Sequence, residues 1–111
     1  MDVLNIVEFN NYIKRKRPQV IIYDDENNSD YIQGAECRCY SITQPLRMSL
    51  TFDNMLIAQN PNIIHLSGKC GTIAFNYVQK ISLDSNCLLG DIITLYCQVG
   101  KNTTAYTLII R

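Results

Sequence analysis

Leu46-Arg47-Met48-Ser49-Leu50-Thr51-Phe52-Asp53 alternates one apolar with one polar side chain along its whole length. Successive side chains of a β-strand point to opposite faces, so this stretch reads as a strand with one face buried and one face wet. Upstream, Pro45 separates it from a weaker strand over residues 31–43, in which Ala35, Cys37 and Cys39 share one face and Tyr40 and Ile42 the other. Further upstream, the β-branched run Val20-Ile21-Ile22-Tyr23 stops at a polar stretch that begins with Asp24. Downstream, Asp53-Asn54 reads as a turn into residues 55–59, and Asn60-Pro61-Asn62 is a stronger turn signal. Ile63-Ile64-His65-Leu66 follows as a short strand, with Gly68 and Gly71 bracketing the next turn. Ile73, Phe75 and Tyr77 then alternate with Thr72, Ala74 and Asn76, and the pattern continues through Ile81 and Leu83. A loop at Asp84-Ser85-Asn86 precedes a strand over residues 91–99, which Gly100-Lys101-Asn102 turns into a last strand over 104–110.

The first segment has a different period. Ile6, Phe9 and Ile13, with Tyr12 alongside, form one apolar stripe of a helix. Asn5 is a suitable N-cap, and Glu8 lies three residues on, where a capping-box acid belongs. Pro18 ends the helix, and the basic residues before it meet the negative end of the helix dipole. The expected architecture is therefore a single α+β domain over residues 1–111, mainly β. A helix at about residues 5–17 leads into a strongly bent antiparallel sheet over about 19–110, a small barrel or roll of about six to eight short strands. The last two strands carry apolar residues on both faces, including Ile92, Ile93, Leu95, Leu108, Ile109 and Ile110. They are expected in the middle of the sheet; the alternative is that one face of this hairpin joins a second copy of the chain.

Ten Lys and Arg balance ten Asp and Glu in 111 residues, and 47% of residues are hydrophobic against 18% charged. That is the composition of a folding domain, and it excludes a binder of nucleic acid or membrane that works by bulk charge. Residues 1–8 carry no basic stretch, apolar run or cleavage site of a signal peptide, and no apolar run reaches the ~18 residues of a membrane span, so a cytosolic protein is expected. Fifteen Ile, eleven Asn and seven Tyr against four Ala match AT-rich codons, as in a bacterial, phage or mobile-element genome.

Candidate chemistry is sparse. The odd cysteine set, Cys37, Cys39, Cys70, Cys87 and Cys97, reads as reduced, buried thiols. A four-thiolate zinc site at Cys37, Cys39, Cys70 and Cys87 is the sharper alternative, but tetrahedral sites favour two to four residues between paired ligands, and C-x-C has one. No metal or other cofactor is expected. His65 is the single histidine, on the strand face opposite Ile64 and Leu66, and no nucleophile motif surrounds it. The loop from Asp24 to Asp30 places oxygen side chains at alternate positions but has Ser29 and Ala35 where a calcium loop needs Gly and Glu.

Two charged stretches remain as candidate partner-binding residues: Lys14, Arg15, Lys16 and Arg17 at the helix end, and Asp24, Asp25, Glu26 and Asp30 in the acidic loop. Four consecutive helical residues lie ~100° apart and fan around the axis, so the basic run cannot form one face, and Arg17, following Ile13, is expected to lay its stem over the core edge. The order Phe9-Asn10-Asn11-Tyr12-Ile13, Pro18, Val20-Ile21-Ile22-Tyr23 and Gln33-Gly34 resembles the opening of the bacterial Sm-like RNA chaperones, over about a quarter of the chain. The resemblance implies a small bent barrel. It does not carry RNA binding, because Phe75-Asn76-Tyr77 stands where that family has a Tyr-Lys-His motif, and two further strands follow. The expected function is a non-enzymatic protein–protein interaction module, such as a phage or mobile-element inhibitor or adaptor. An RNA- or DNA-binding barrel using the basic helix end comes second, and a thiol-dependent enzyme third.

Overall fold

The computed structural model describes residues 2–24, 35–39, 49–69, 71–85, 88 and 90–111. The chain opens with a short strand, β1 (Asp2–Leu4), and then one helix, α1 (Ile6–Lys16). Asn5 caps the helix: its side chain accepts from the Glu8 N–H at 2.8 Å, and the Glu8 carboxylate accepts from the Asn5 N–H at 3.0 Å. These reciprocal bonds satisfy two groups that a helix start otherwise leaves open. At the other end Arg17 adopts a left-handed conformation (φ 47°) and its N–H bonds the Ile13 carbonyl, so the helix closes one residue before Pro18. The apolar stripe faces inward as its spacing requires: Phe9 is fully buried, and Ile6, Tyr12 and Ile13 lie half-buried against the core.

Among the described residues nine further strands follow: β2 (Ile21–Asp24), β3 (Ala35–Cys39), β4 (Ser49–Phe52), β5 (Asn54–Ala58), β6 (Ile63–Gly68), β7 (Gly71–Phe75), β8 (Val78–Asp84), β9 (Asp91–Val99) and β10 (Asn102–Ile110). They make a six-stranded sheet in the order β1-β8-β9-β10-β2-β4 and a four-stranded sheet in the order β3-β7-β6-β5, and every pairing is antiparallel. The α+β, mainly β architecture is as the sequence predicts. The strand count is higher, because Asp2–Leu4 joins the sheet edge against Leu83, Ser82 and Ile81, and Asn54–Ala58 is a strand in its own right. Neither sheet closes on itself, so the described residues form two open sheets, not a barrel.

The chain changes sheets four times, and two of these corners lie within the described residues. At the first, Asp53 alone separates β4 of one sheet from β5 of the other, where Asp53-Asn54 was expected to make a turn. The Asp53 N–H bonds the Ser67 carbonyl, and Gly68 lies so close that a Cβ there would stand 3.0 Å from the Phe52 Cα. A side chain at this position would push the neighbouring backbone away by a few tenths of an ångström, which glycine avoids. At the second corner, Asn76 and Tyr77 interrupt the alternation that the sequence carries from Ile73 to Leu83; Tyr77 takes φ 53° and stands 58% exposed.

The buried residues alternate along β6, β7, β9 and β10, whereas Ile81, Ser82 and Leu83 are buried in succession on β8. Ile93, Leu95, Cys97, Tyr106, Leu108 and Ile110 line one face of the β9–β10 hairpin, and Ile64, Leu66, Ile73 and Phe75 come from the smaller sheet. The Phe75 ring sits 5.9 Å from that of Tyr23 and 5.3 Å from that of Tyr106, joining the two sheets through aromatic contacts. The hairpin lies in the middle of its sheet, as expected. Its second face is not fully covered: Ile92 and Ile109 are half-buried and in register with Ile22.

Candidate functional site

The helix, the edge strand β1 and its neighbour β8 enclose an open groove of about 540 Å³. Asp2, Leu4, Glu8, Asn11, Tyr12, Lys14, Arg15 and Leu83 line it. Leu4, Leu83 and the ring of Tyr12 supply the apolar part of its lining. Asp2 and Glu8 bring carboxylates to the lining, and Lys14 and Arg15 bring cations. From Glu8 to Lys14 the helix rises ~9 Å, so the groove carries a separated pair of opposite charges. Lys14 and Arg15 are exposed and form no ion pair among the described residues.

The four basic residues are divided by the helix geometry, as their spacing predicts. Lys14 and Arg15 face the groove. Lys16 turns away and pairs with Asp91, its ammonium 3.5 Å from the carboxylate. Arg17 leaves the helix in its left-handed conformation and is exposed, so its stem does not lie over the core edge as expected. The αL turn at the cap breaks the helical spacing from Ile13 that would have carried it there. The Asp91 carboxylate also accepts a hydrogen bond from the Tyr12 hydroxyl. Burial, then that hydrogen bond and the neighbouring Asp91 charge, hold the Tyr12 phenol well above its ordinary range. Tyr12, Lys16 and Asp91 therefore pin the helix to the start of β9, and this anchor is a feature that the sequence did not signal.

Of the acidic candidates, Asp24 ends β2, and Asp25, Glu26 and Asp30 lie outside the described residues, as do 27–29 and 31–34 of the tested calcium loop, while Ala35 begins β3. Cys70 and Cys87 are likewise outside them. Cys97 is fully buried at the centre of the larger sheet, where burial pushes its thiol up to about 12. A thiol held protonated there acts as a small apolar side chain, not as a nucleophile. His65 sits half-buried on β6, opposite Leu56 and Ala74 in the strand register and on the face away from the core, as alternation predicts. Among the described residues no three His, Cys, Asp or Glu side chains cluster to hold a metal ion. Among the described residues no helix is long and apolar enough to cross a membrane. The sequence matches no protein-family model, and neither a curated protein nor a solved structure shows significant similarity to it.

Proposed function

We propose that this protein is a binding module that engages a segment of another protein in the groove between α1 and the β1–β8 edge. The observation that carries the reading is the lining itself: Leu4 and Leu83 beside the carboxylates of Asp2 and Glu8 and, ~9 Å along the helix from Glu8, the cations Lys14 and Arg15, which form no ion pair among the described residues. Ligand sites of ~300–1,000 Å³ with an apolar base and a few placed polar groups suit a short peptide segment. The complementary segment presents a basic residue toward Asp2 and Glu8, one or two apolar residues to Leu4 and Leu83, and an acidic residue toward Lys14 and Arg15. Such charge order fixes direction and register more than it adds affinity. A nucleic acid fits less well, because Asp2 and Glu8 share the groove and repel a phosphate backbone. An inhibitor or adaptor encoded by a phage or mobile element is a natural setting for a module of this size.

A displayed random-peptide library selected on the intact protein tests the proposal. Enriched sequences are expected to share the basic–apolar–acidic order and to lose binding at least tenfold against Lys14→Glu/Arg15→Glu, with unfolding of that variant still cooperative. Both sites are exposed but sit in the last turn of the helix, so each charge reversal should cost about 0.3–1 kcal/mol through the dipole and leave the fold intact. No enrichment, or enriched peptides indifferent to the charge reversal, would overturn the reading.

A further inference from the structure

The second corner between the sheets gathers irregularities that a fold alone does not require. Tyr77 is a bulky residue held at φ 53°, and Asn60 stands at φ 59° beside it, across a pocket of about 280 Å³. β-Branched and bulky residues rarely occupy this region, and they persist there only where the surroundings enforce it. Here the surroundings do. The Tyr77 carbonyl accepts from the Gln98 N–H at 3.1 Å and from the Gln79 side-chain amide at 3.2 Å. Next to it, Val78 and Asn62 are tied twice, by the Val78 N–H to the Asn62 carbonyl and by the Asn62 side-chain amide to the Val78 carbonyl. The register of β8 against β9 also slips here, with Gln79 as the extra residue. Bulges of this kind re-aim side chains, often at functional sites.

The result is one exposed phenol ring beside three neutral amides. Asn60, Pro61, Asn62, Tyr77, Val78 and Gln79 line the pocket, and none is charged. Asn62 and Gln79 each commit one amide N–H to a backbone carbonyl and retain a second N–H and an oxygen to offer. We infer that this corner is a binding site for a neutral saccharide: the aromatic face receives the C–H face of a sugar ring, and the amides receive its hydroxyls. The chemistry selects among alternatives. A nucleic-acid strand would need a cation for its phosphates, and the lining has none. A proline-rich peptide docks in a groove lined by several aromatic rings, and here there is one. The inference is independent of the α1 groove, which lies elsewhere on the molecule and has a different lining.

The test is an amide chemical-shift titration of the isotope-labelled protein with maltohexaose, cellohexaose and chitohexaose. Each is taken to roughly 10 mM, about tenfold above a millimolar dissociation constant. At least one should give saturable shifts confined to residues 60–62 and 77–79. Tyr77→Gly, which accepts the same backbone conformation, should weaken that binding at least tenfold without lowering the melting temperature. Tyr77→Asn, also tolerant of a left-handed conformation, serves if the glycine variant does not fold. Absence of shifts with all three sugars, shifts elsewhere, or shifts unchanged in the Tyr77 variant would overturn the inference. So would saturable shifts at this corner with a decaproline peptide or an oligouridine where the sugars give none.

Discussion

Tyr77 shows at the residue scale how local cost and exposure can be separated. A left-handed conformation costs an L-residue about 1–2 kcal/mol, whereas glycine adopts it freely and loses about 0.5–1 kcal/mol through its greater unfolded-state freedom. The ring is 58% exposed and contributes little burial, so Tyr77→Gly should raise stability by about 0.5–1 kcal/mol, read as a higher urea midpoint. A midpoint lowered by more than that would show that the ring packs more than its exposure implies. Buried titratable groups give a second prediction at this scale. Cys97 is raised from 9.0 to about 12 by burial, and Tyr12 is raised above its ordinary 10.0 by burial and by Asp91. Both groups hold protons more tightly folded than unfolded, so their contribution is complete below pH 9 and is lost as pH climbs through the folded values. The melting temperature should therefore fall from about pH 9 upward, and Cys97→Ala should flatten the part of that fall between pH 9 and 12. A melting temperature that stays level to pH 11 would contradict it.

At the scale of the element, α1 is where sequence and structure agree most closely. Its cap, stripe and basic end depend on residues within one or two turns of each other, and local chemistry of that kind is visible in a linear chain. Asn5→Ala removes the side-chain half of the capping box and should cost about 1 kcal/mol in a urea titration, with the slope unchanged. Strand alternation was equally legible, which is why the inward residues of β6, β7, β9 and β10 follow it. What alternation cannot carry is the identity of the neighbour. Asp2–Leu4 is too short to show a period and is a strand only because β8 supplies its partners. Asp53 looks like a turn residue, yet a change of sheet needs only one residue outside both ladders. The candidate site divides the same way. Lys14 and Arg15 were readable as exposed cations, but Asp2, Leu4 and Leu83 become their neighbours only when β1 and β8 pair.

At the scale of the whole molecule, the question is whether two open sheets make one cooperative unit or two. Neither sheet has a core of its own, since each buries one face against the other. Phe75 stands at the centre of that contact, fully buried, with Tyr23 and Tyr106 of the larger sheet against its ring. The covalent path reinforces the packing, because the chain changes sheets at Asp53 and again at Asn76 and Tyr77, so one sheet cannot detach without straining both corners. Truncating a buried Phe removes its transfer free energy and leaves a cavity, for about 3–5 kcal/mol, against a total of about 5–15 kcal/mol for a domain. Phe75→Ala should therefore lower the stability of both sheets together. Urea unfolding followed by far-ultraviolet circular dichroism and by tyrosine fluorescence should give coincident curves, displaced by that amount, with the same slope. Phe75→Asp, which places an unpaired carboxylate in the same position, should abolish cooperative unfolding outright. Two separated transitions in Phe75→Ala would show that the sheets are held by independent cores, and a cooperative, soluble Phe75→Asp would show that the ring does not join them.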